Sequence, residues 1–539
     1  PLTPPPTEET QPPSPEATTD PTTPDLKPGR RELDRLAGLV RAPREGRRPL
    51  EVRSPLTGEV LGVVPEGTRE DVEAAVASAR AVQAAWARTS TRERAGILGR
   101  YQTLVLDHQD ELLDLLQAEN GKARGSAFEE VADTVLNCQY YARNVGKFLR
   151  DKPRRTALPG LVRAWERHVP KGVVGLIAPW NYPLALSIGD GLPALMAGNA
   201  LVLKPDSQTP YTTLRAFELL EEAGLPRGLA QVVTGPGSVV GQAIIELTDY
   251  VMFTGSTATG RRVAAQAGER LIGCSAELGG KNPMIIAADV DLDRAVRGAV
   301  AACFSNTGQL CISIERIYVE RPIVEEFTAR FADAVSALRL GGGQDYDSDV
   351  GSLISQDQLD KITAHIADAE AKGAKAVAGG HARPDLGPFF HEPTVLTGVT
   401  PDMDVHSDET FGPLVSIYPV DTLDEAVDRA NDTDYGLNAS IYIDDVRRGR
   451  RLAERVMAGT VNVNDGYQSA WAATGSPMGG MKASGLGRRH GREGLLKYTE
   501  SQTIAVRSAL AEKLQGGDTP AETASRLTAL LRSAKHLPF

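Results

Sequence analysis

Alternating strand-like and helix-like segments from Val169 onward predict an α/β protein built on a parallel sheet covered on both faces. Two further observations support that class. The strand segments are nearly continuous apolar runs rather than alternating ones, as in Gly172-Val173-Val174-Gly175-Leu176-Ile177-Ala178-Pro179 and Ala200-Leu201-Val202-Leu203. The chain has 539 residues, 41% of them hydrophobic and 24% charged, which is ordinary globular composition and enough for more than one domain.

Pro1 to Pro28 contains ten prolines among Thr, Glu and Asp. Such a stretch buries too little apolar surface to offset its ordering entropy, so a disordered or extended tail is expected. Folding signals begin near Arg31. Thr68 with Asp71, and Ser90 with Glu93, have capping-box spacing, and Asp71 to Arg88, Arg92 to Gly121 and Glu129 to Phe148 carry helical apolar periodicity. The alternating region follows, with helices over Leu184 to Ala197, Tyr211 to Ala223 and Thr257 to Ala267, and strands at Leu229 to Val233 and Tyr250 to Phe253. A second alternating region runs from Pro283 to about Asn464. Its clearest strands are Met284 to Ile286, Ile317 to Val319, Leu414 to Ile417 and Ser440 to Ile443. Beyond Ser508, Gly516-Gly517-Asp518 breaks the chain before a short helix over Thr523 to Lys535, with Leu527, Leu530, Leu531 and Ala534 on one face.

The net charge of −11 argues against a nucleic-acid partner. Cys138, Cys274, Cys303 and Cys311 show neither metal-ligand spacing nor a dense disulfide pattern, which suits a reducing, cytoplasmic setting, and the eight histidines form no metal-ligand constellation. No run reaches the roughly 18 apolar residues of a membrane span, and no secretory leader pattern is visible.

Two segments carry chemistry. Glu277 lies in Glu277-Leu278-Gly279-Gly280-Lys281, and Cys311 closes Phe304-Ser305-Asn306-Thr307-Gly308-Gln309-Leu310-Cys311. Cysteine is the best side-chain nucleophile near neutral pH once a base or an electropositive pocket gives thiolate. A buried carboxylate can take a proton from water. Together they suit attack on a carbonyl followed by hydrolysis of a thioester. Cys303, in an apolar setting, reads as structural.

These segments resemble the signatures of the aldehyde dehydrogenase superfamily. Five more landmarks follow the same order: Pro179-Trp180-Asn181-Tyr182-Pro183, Lys204-Pro205, Phe253 to Gly260, Glu409-Thr410-Phe411-Gly412-Pro413 and Ser476-Pro477-Met478-Gly479-Gly480. The likeness runs from about Val52 to about Val506 and is closest, through Phe304 to Val319 and Gly487 to Ile504, to the bacterial NADP-dependent succinate-semialdehyde dehydrogenase branch.

The resemblance implies two Rossmann-like domains, one for cofactor and one for catalysis, with a small β oligomerisation arm, in a homodimer or homotetramer. Residues 29–150 and 170–279 would bind the dinucleotide, 151–169 and 496–507 would form the arm, 280–495 would be catalytic and 508–539 a C-terminal extension. Cys311 would be the nucleophile, Asn181 with the Cys311 N–H the oxyanion hole, and Glu277 the base for thioester hydrolysis. Trp180, Lys204, Ser207, Gly255, Ser256, Leu278, Glu409 and Phe411 would hold NADP, with NAD also accepted. Ser207 stands where many NAD-specific relatives carry glutamate, and a neutral side chain there spares a 2′-phosphate from repulsion. Gly279 and Gly280 suit close cofactor approach, and Lys281 would either lower the pKa of a neighbouring acid or be solvated.

The implied substrate is a small aldehyde, first of all succinate semialdehyde, whose distal carboxylate calls for an arginine or a donor cluster. Better-known relatives place arginine at the positions that are Ser305 and Gly189 here, and many have lysine where this chain has Asp190. Tyr467, Gln468, Ser469 and Trp471 are the candidate replacement donors. Without such donors, a general medium- or long-chain aliphatic aldehyde dehydrogenase is the alternative. A non-catalytic nucleotide-binding scaffold would be expected to have lost Cys311 or Glu277.

Overall fold

The computed structural model describes residues 28–157, 160–511 and 519–534. The proline-rich tail up to residue 27, the Gly516 to Asp518 break and Lys535 lie outside the described residues. Two parallel sheets and one antiparallel arm organise the chain. The first sheet runs in the order Gly485–Leu486, Gly273–Glu277, Tyr250–Thr254, Val173–Ile177, Ala200–Lys204, Ala230–Val232. All its pairings are parallel except that of Gly485–Leu486. Val173, Val174, Ala200, Leu201, Val202 and Leu203 are fully buried, because helices cover both faces of the sheet. Those helices include Arg69–Trp86, Thr91–Asp107, Gln109–Asn120, Arg124–Leu149, Pro183–Ala197 and Pro210–Glu222, which share one apolar core with the strands.

The second sheet runs Lys375–Ala378, Thr394–Thr397, Leu414–Val420, Ile314–Glu320, Asn282–Ile286, Asn438–Tyr442, Thr460–Val463, with only the first pair antiparallel. An antiparallel arm joins Thr499–Arg507, Val162–Pro170 and Lys152–Arg154. Its outer strand is solvent-facing and leaves Ile504 and Val506 exposed. No helix among the described residues is long and apolar enough to cross a membrane.

Several expectations need adjusting. The stretch Arg92 to Gly121 is two helices rather than one, because His108 leaves helical geometry between Thr91–Asp107 and Gln109–Asn120 and its ring is held by Glu111 at 2.8 Å. The helix over Glu129 to Phe148 begins earlier, at Arg124. At the helix starts, Asp71 accepts from the Thr68 N–H at 2.8 Å, and Ser90 Oγ accepts from the Glu93 N–H at 3.2 Å. Gly485–Leu486 pairs with Gly273–Glu277, so the chain returns to the first sheet ten residues before the boundary expected at residue 495. The last helix, Pro520–Ala534, starts three residues early and leaves Leu527 and Leu531 exposed.

Candidate active site

Four consecutive first-sheet strands deliver the site from their carboxyl ends, where open parallel sheets leave a crevice. Val173–Ile177 leads into Pro179, Trp180 and Asn181. Ala200–Lys204 leads to Gln208, Tyr250–Thr254 to Gly255 and Ser256, and Gly273–Glu277 ends on Glu277 itself. These residues line one cleft with Leu278, Cys311, Lys361, Glu409 and Phe411. A second, mainly apolar cavity is lined by Leu186, Leu310, Ile312, Tyr467, Trp471 and Met478, among others. Asn181 and Cys311 belong to both, so the thiol stands where the two spaces meet.

The loop carrying Cys311 is tightly built. Asn306, Thr307 and Gly308 all have positive φ (50°, 58° and 68°), a run that only Gly adopts without cost. A Cβ at Gly308 would lie 2.1 Å from the Gly412 carbonyl oxygen. Asn306 Nδ2 donates to the carbonyls of Asn181 and Gln309, both at 3.0 Å, while Asn181 Nδ2 donates to the Gln309 carbonyl at 3.1 Å. Asn282 Nδ2 donates to the Cys311 carbonyl at 2.8 Å. The Cys311 segment and the Asn181 turn are therefore tied together by side-chain amides.

Electrostatics follow from burial. Burial pushes the Cys311 thiol up to about 12, with Arg489 and its own N–H pulling the other way. Burial also pushes Glu277 up to about 7 against the pull of Arg489 and Lys497. Glu277 Oε1 is buried with no hydrogen-bond partner among the described residues, so it can accept a proton or a water. Burial and the nearby Glu315 raise Glu409 to about 7 as well.

Sequence expectations are met unevenly. Cys311, Glu277, Asn181, Trp180, Gly255, Ser256, Leu278, Glu409 and Phe411 converge on the cleft. Lys204 and Ser207 are not among its lining residues. Lys204 is buried and donates to the Pro205 carbonyl at 2.9 Å. Gly279 lines the cleft and Gly280 does not, and both positions are also crowded by protein. A Cβ at Gly279 would lie 2.4 Å from a Glu409 carboxylate oxygen, one at Gly280 would lie 2.9 Å from the Cys311 carbonyl, and Glu409 Oε1 accepts the Gly280 N–H at 2.8 Å. Lys281 is not solvated, being buried against Glu315 at 2.5 Å. That same Glu315 accepts the N–H groups of Thr410 and Phe411 at 2.9 Å and so holds Phe411 at φ 58°. Phe411 in turn meets Trp180 edge-on, ring centres 5.5 Å apart. The candidate donors Gln468 and Ser469 do not line the apolar cavity, and Tyr467, which does, donates its hydroxyl to Glu129 at 2.8 Å. Asp190 is buried between Arg489 (2.6 Å) and Lys497 (3.2 Å), an ion cluster behind Glu277 and Cys311.

Sequence reading missed Arg489, Glu129 and Lys122. Arg489 lies between Arg488 and His490 in a short basic stretch. No local signal distinguishes it, because its partners are about 180 to 300 residues away in the chain.

An oxidised dinucleotide fits the larger cleft on chemical grounds. Aromatic faces from Trp180 and Phe411, a helix N-terminus at Ser256 and the Glu409 carboxylate match ring, phosphate and ribose hydroxyls in turn. A dinucleotide cleft that meets an apolar cavity at a single thiol defines a nicotinamide-dependent oxidoreductase acting on a carbonyl. Comparison with known proteins gives the family: the model named Aldehyde dehydrogenase family matches residues 42–504, and the chain belongs to that family. A Mycolicibacterium smegmatis protein provisionally named NADP-dependent succinate-semialdehyde dehydrogenase is 54% identical over 95% of this chain and 99% of its own length. A Mycobacterium tuberculosis protein of the same provisional name is 56% identical over 89% of this chain and 93% of its own. Among solved structures, an NAD+ complex of a Bacillus cereus aldehyde dehydrogenase superposes with a TM-score of 0.81 at 36% identity, covering 85% of this chain and 93% of that one. Staphylococcus aureus betaine aldehyde dehydrogenase with NAD+ gives 0.83 at 32% identity, covering 89% and 97%.

Proposed function

We propose that this aldehyde dehydrogenase oxidises succinate semialdehyde to succinate with NADP, using NAD less well. The observation that carries the chemistry is the position of Cys311, shared by a dinucleotide cleft and an apolar cavity. The relatives' names point to the substrate and coenzyme.

Cys311 attacks the aldehyde carbon and forms a thiohemiacetal. Because burial holds its thiol high, a base must take the proton as the bond forms, and Glu277 is the buried carboxyl at hand. Asn181 uses one Nδ2 hydrogen on Gln309, which leaves the other for the developing oxyanion, an interaction typically worth about 3 kcal/mol. When bound, NADP accepts the hydride from that carbon. Trp180, Phe411, Leu278 and Glu409 orient the nicotinamide end. Gly255 and Ser256 would receive the pyrophosphate at the start of Thr257–Glu269, and Lys204, once released from the Pro205 carbonyl, would meet the adenosine ribose together with Ser207. Glu277 then takes a proton from the water that hydrolyses the thioester. The net reaction consumes aldehyde, NADP and water and yields acid, NADPH and a proton.

We assign residues 29–150 and 170–279 to cofactor binding and 280 to about 484 to catalysis. The arm, with its exposed Ile504 and Val506, is the surface through which subunits pair. The apolar lining and the absence of arginine at Ser305 and Gly189 favour a second reading, a general aliphatic aldehyde dehydrogenase. Initial rates with succinate semialdehyde against hexanal, each with NADP and NAD, separate the two. A higher kcat/KM for hexanal would replace the main reading.

A further inference from the structure

We propose that Arg489 anchors the distal carboxylate of the substrate, reaching it through the wall that Gly189 leaves open. The inference rests on the substrate reading above and supplies the anion site that the sequence lacks at its usual positions.

Ser305 cannot serve. Its Oγ donates to Glu129 Oε1 at 3.1 Å, and the same carboxyl accepts from Tyr182 (3.1 Å) and Tyr467 (2.8 Å). That wall is closed by its own hydrogen bonds around a carboxyl, an arrangement that does not attract an anion. At Gly189 the absent side chain leaves room. A Cβ there would have only Asp133 near it, with Oδ2 at 3.6 Å. Gly189, Asp133, Arg489 and Cys311 line one continuous cavity.

Arg489 is the only lining residue with a permanent positive charge, since burial and Arg489 itself push His490 down to about 4 and keep that ring neutral. Its Nη2 donates to Asp190 Oδ2 at 2.6 Å and to Thr254 Oγ1 at 3.4 Å. Its Nε is buried and without a partner, and Nη1 makes no hydrogen bond among the described residues. A guanidinium held from one side by a carboxylate, with donors left over and a cavity beside it, is prepared for a second carboxylate. Lys497 Nζ also donates to Asp190, at 3.2 Å, so the three side chains together carry more positive than negative charge when all are ionised. Asp133 faces the same space. Burial pushes it up to about 7, so beside a bound anion it can keep its proton and donate rather than repel. Gly189 lies on the helix Pro183–Ala197. Here the cation comes from the turn just before Gly491–Leu496, and a glycine on that helix makes way for it.

The test uses the full-length enzyme with saturating NADP and compares succinate semialdehyde with pentanal. Arg489→Gln should lower kcat/KM on both, because a charge near Cys311 and Glu277 is lost. It should lower the succinate semialdehyde to pentanal ratio by roughly tenfold or more, chiefly through KM, with Arg489→Lys recovering part of it. The Ki of succinate as an inhibitor of pentanal oxidation should rise by about the same factor. Gly189→Val, which closes the wall without touching the ion cluster, should lower the ratio as well. Should Arg489→Gln fail to fold, the Asp190→Asn/Arg489→Gln pair removes both charges and permits the same comparison. A wild-type preference for succinate semialdehyde with an unchanged ratio in the variants would overturn the role of Arg489 alone. Loss of preference already in the wild type would instead overturn the substrate reading.

Discussion

The Lys122 ammonium donates to the main-chain oxygen of Asn181 at 2.8 Å, and to Glu130 at 2.6 Å, with both charged side chains fully buried. Glu130 Oε2 also accepts the N–H groups of Leu184 and Ala185 at the start of Pro183–Ala197. One ion pair therefore fixes the Asn181 turn and the helix that follows it.

Lys122→Met should strand the Glu130 charge and cost about 3–5 kcal/mol of stability. Because Asn181 loses its backbone anchor, kcat should fall together with the denaturation midpoint. Urea unfolding and steady-state rates check this, and an unchanged kcat in a destabilised variant would separate Lys122 from catalysis.

Cys311→Ala should reduce turnover by roughly 10³-fold or more. The side chain is small and already borders two open spaces, so its removal leaves little new void and thermal unfolding should barely move. Dinucleotide binding, read by quenching of intrinsic fluorescence, should survive. Wild-type rates in this variant would dismiss the nucleophile.

The rate should fall as pH drops through about 7, because Glu277 is then protonated and cannot take a proton from water. The sign follows from its role as a base, which is available above that pH and lost below it. Glu277→Gln should remove this acid limb along with most of the deacylation rate. An acid limb that persists at the same pH in the variant would assign it to another group.

Gly279→Ala would drive a methyl group to within 2.4 Å of the Glu409 carboxylate. Relief means moving Glu409 off the Gly280 N–H, at a cost of about 1–3 kcal/mol. The KM for NADP should rise about tenfold, whereas Gly268→Ala, whose Cβ meets nothing within 4 Å, should leave it where it was.

Ser207→Glu should set a carboxylate against the 2′-phosphate and shift preference toward NAD. The expected result is about a tenfold rise in KM for NADP with NAD little affected. Equal changes for both coenzymes would place Ser207 away from the ribose.

Much of the fold was readable because buried parallel strands need continuous apolar runs. Val173 to Ile177 and Ala200 to Leu203 announce themselves that way, and the helices between them by their period. The break at His108 was not readable, since apolar spacing carries across it. The same contrast holds in the site. Cys311, Glu277, Asn181 and Phe411 sit in local motifs whose glycines and turns are part of the signal. Arg489 acts on Asp190, 299 residues away, and Lys122 on the Asn181 carbonyl, 59 residues away, and both look like ordinary basic residues. Gly279 and Gly280 were recognisable as points of close approach, but not what approaches them.

The sequence by itself determined the α/β class, the motifs that carry Cys311 and Glu277, and the order of strands and helices, because each depends on neighbours within a few residues. Tertiary structure alone decided that Gly485–Leu486 returns to the first sheet, that Glu409 rests on the Gly280 N–H, and that Asp190 is shared by Arg489 and Lys497. Those contacts join residues 129 to 307 positions apart. Burial sets their energies, and burial is a property of the packed chain, not of any segment of it.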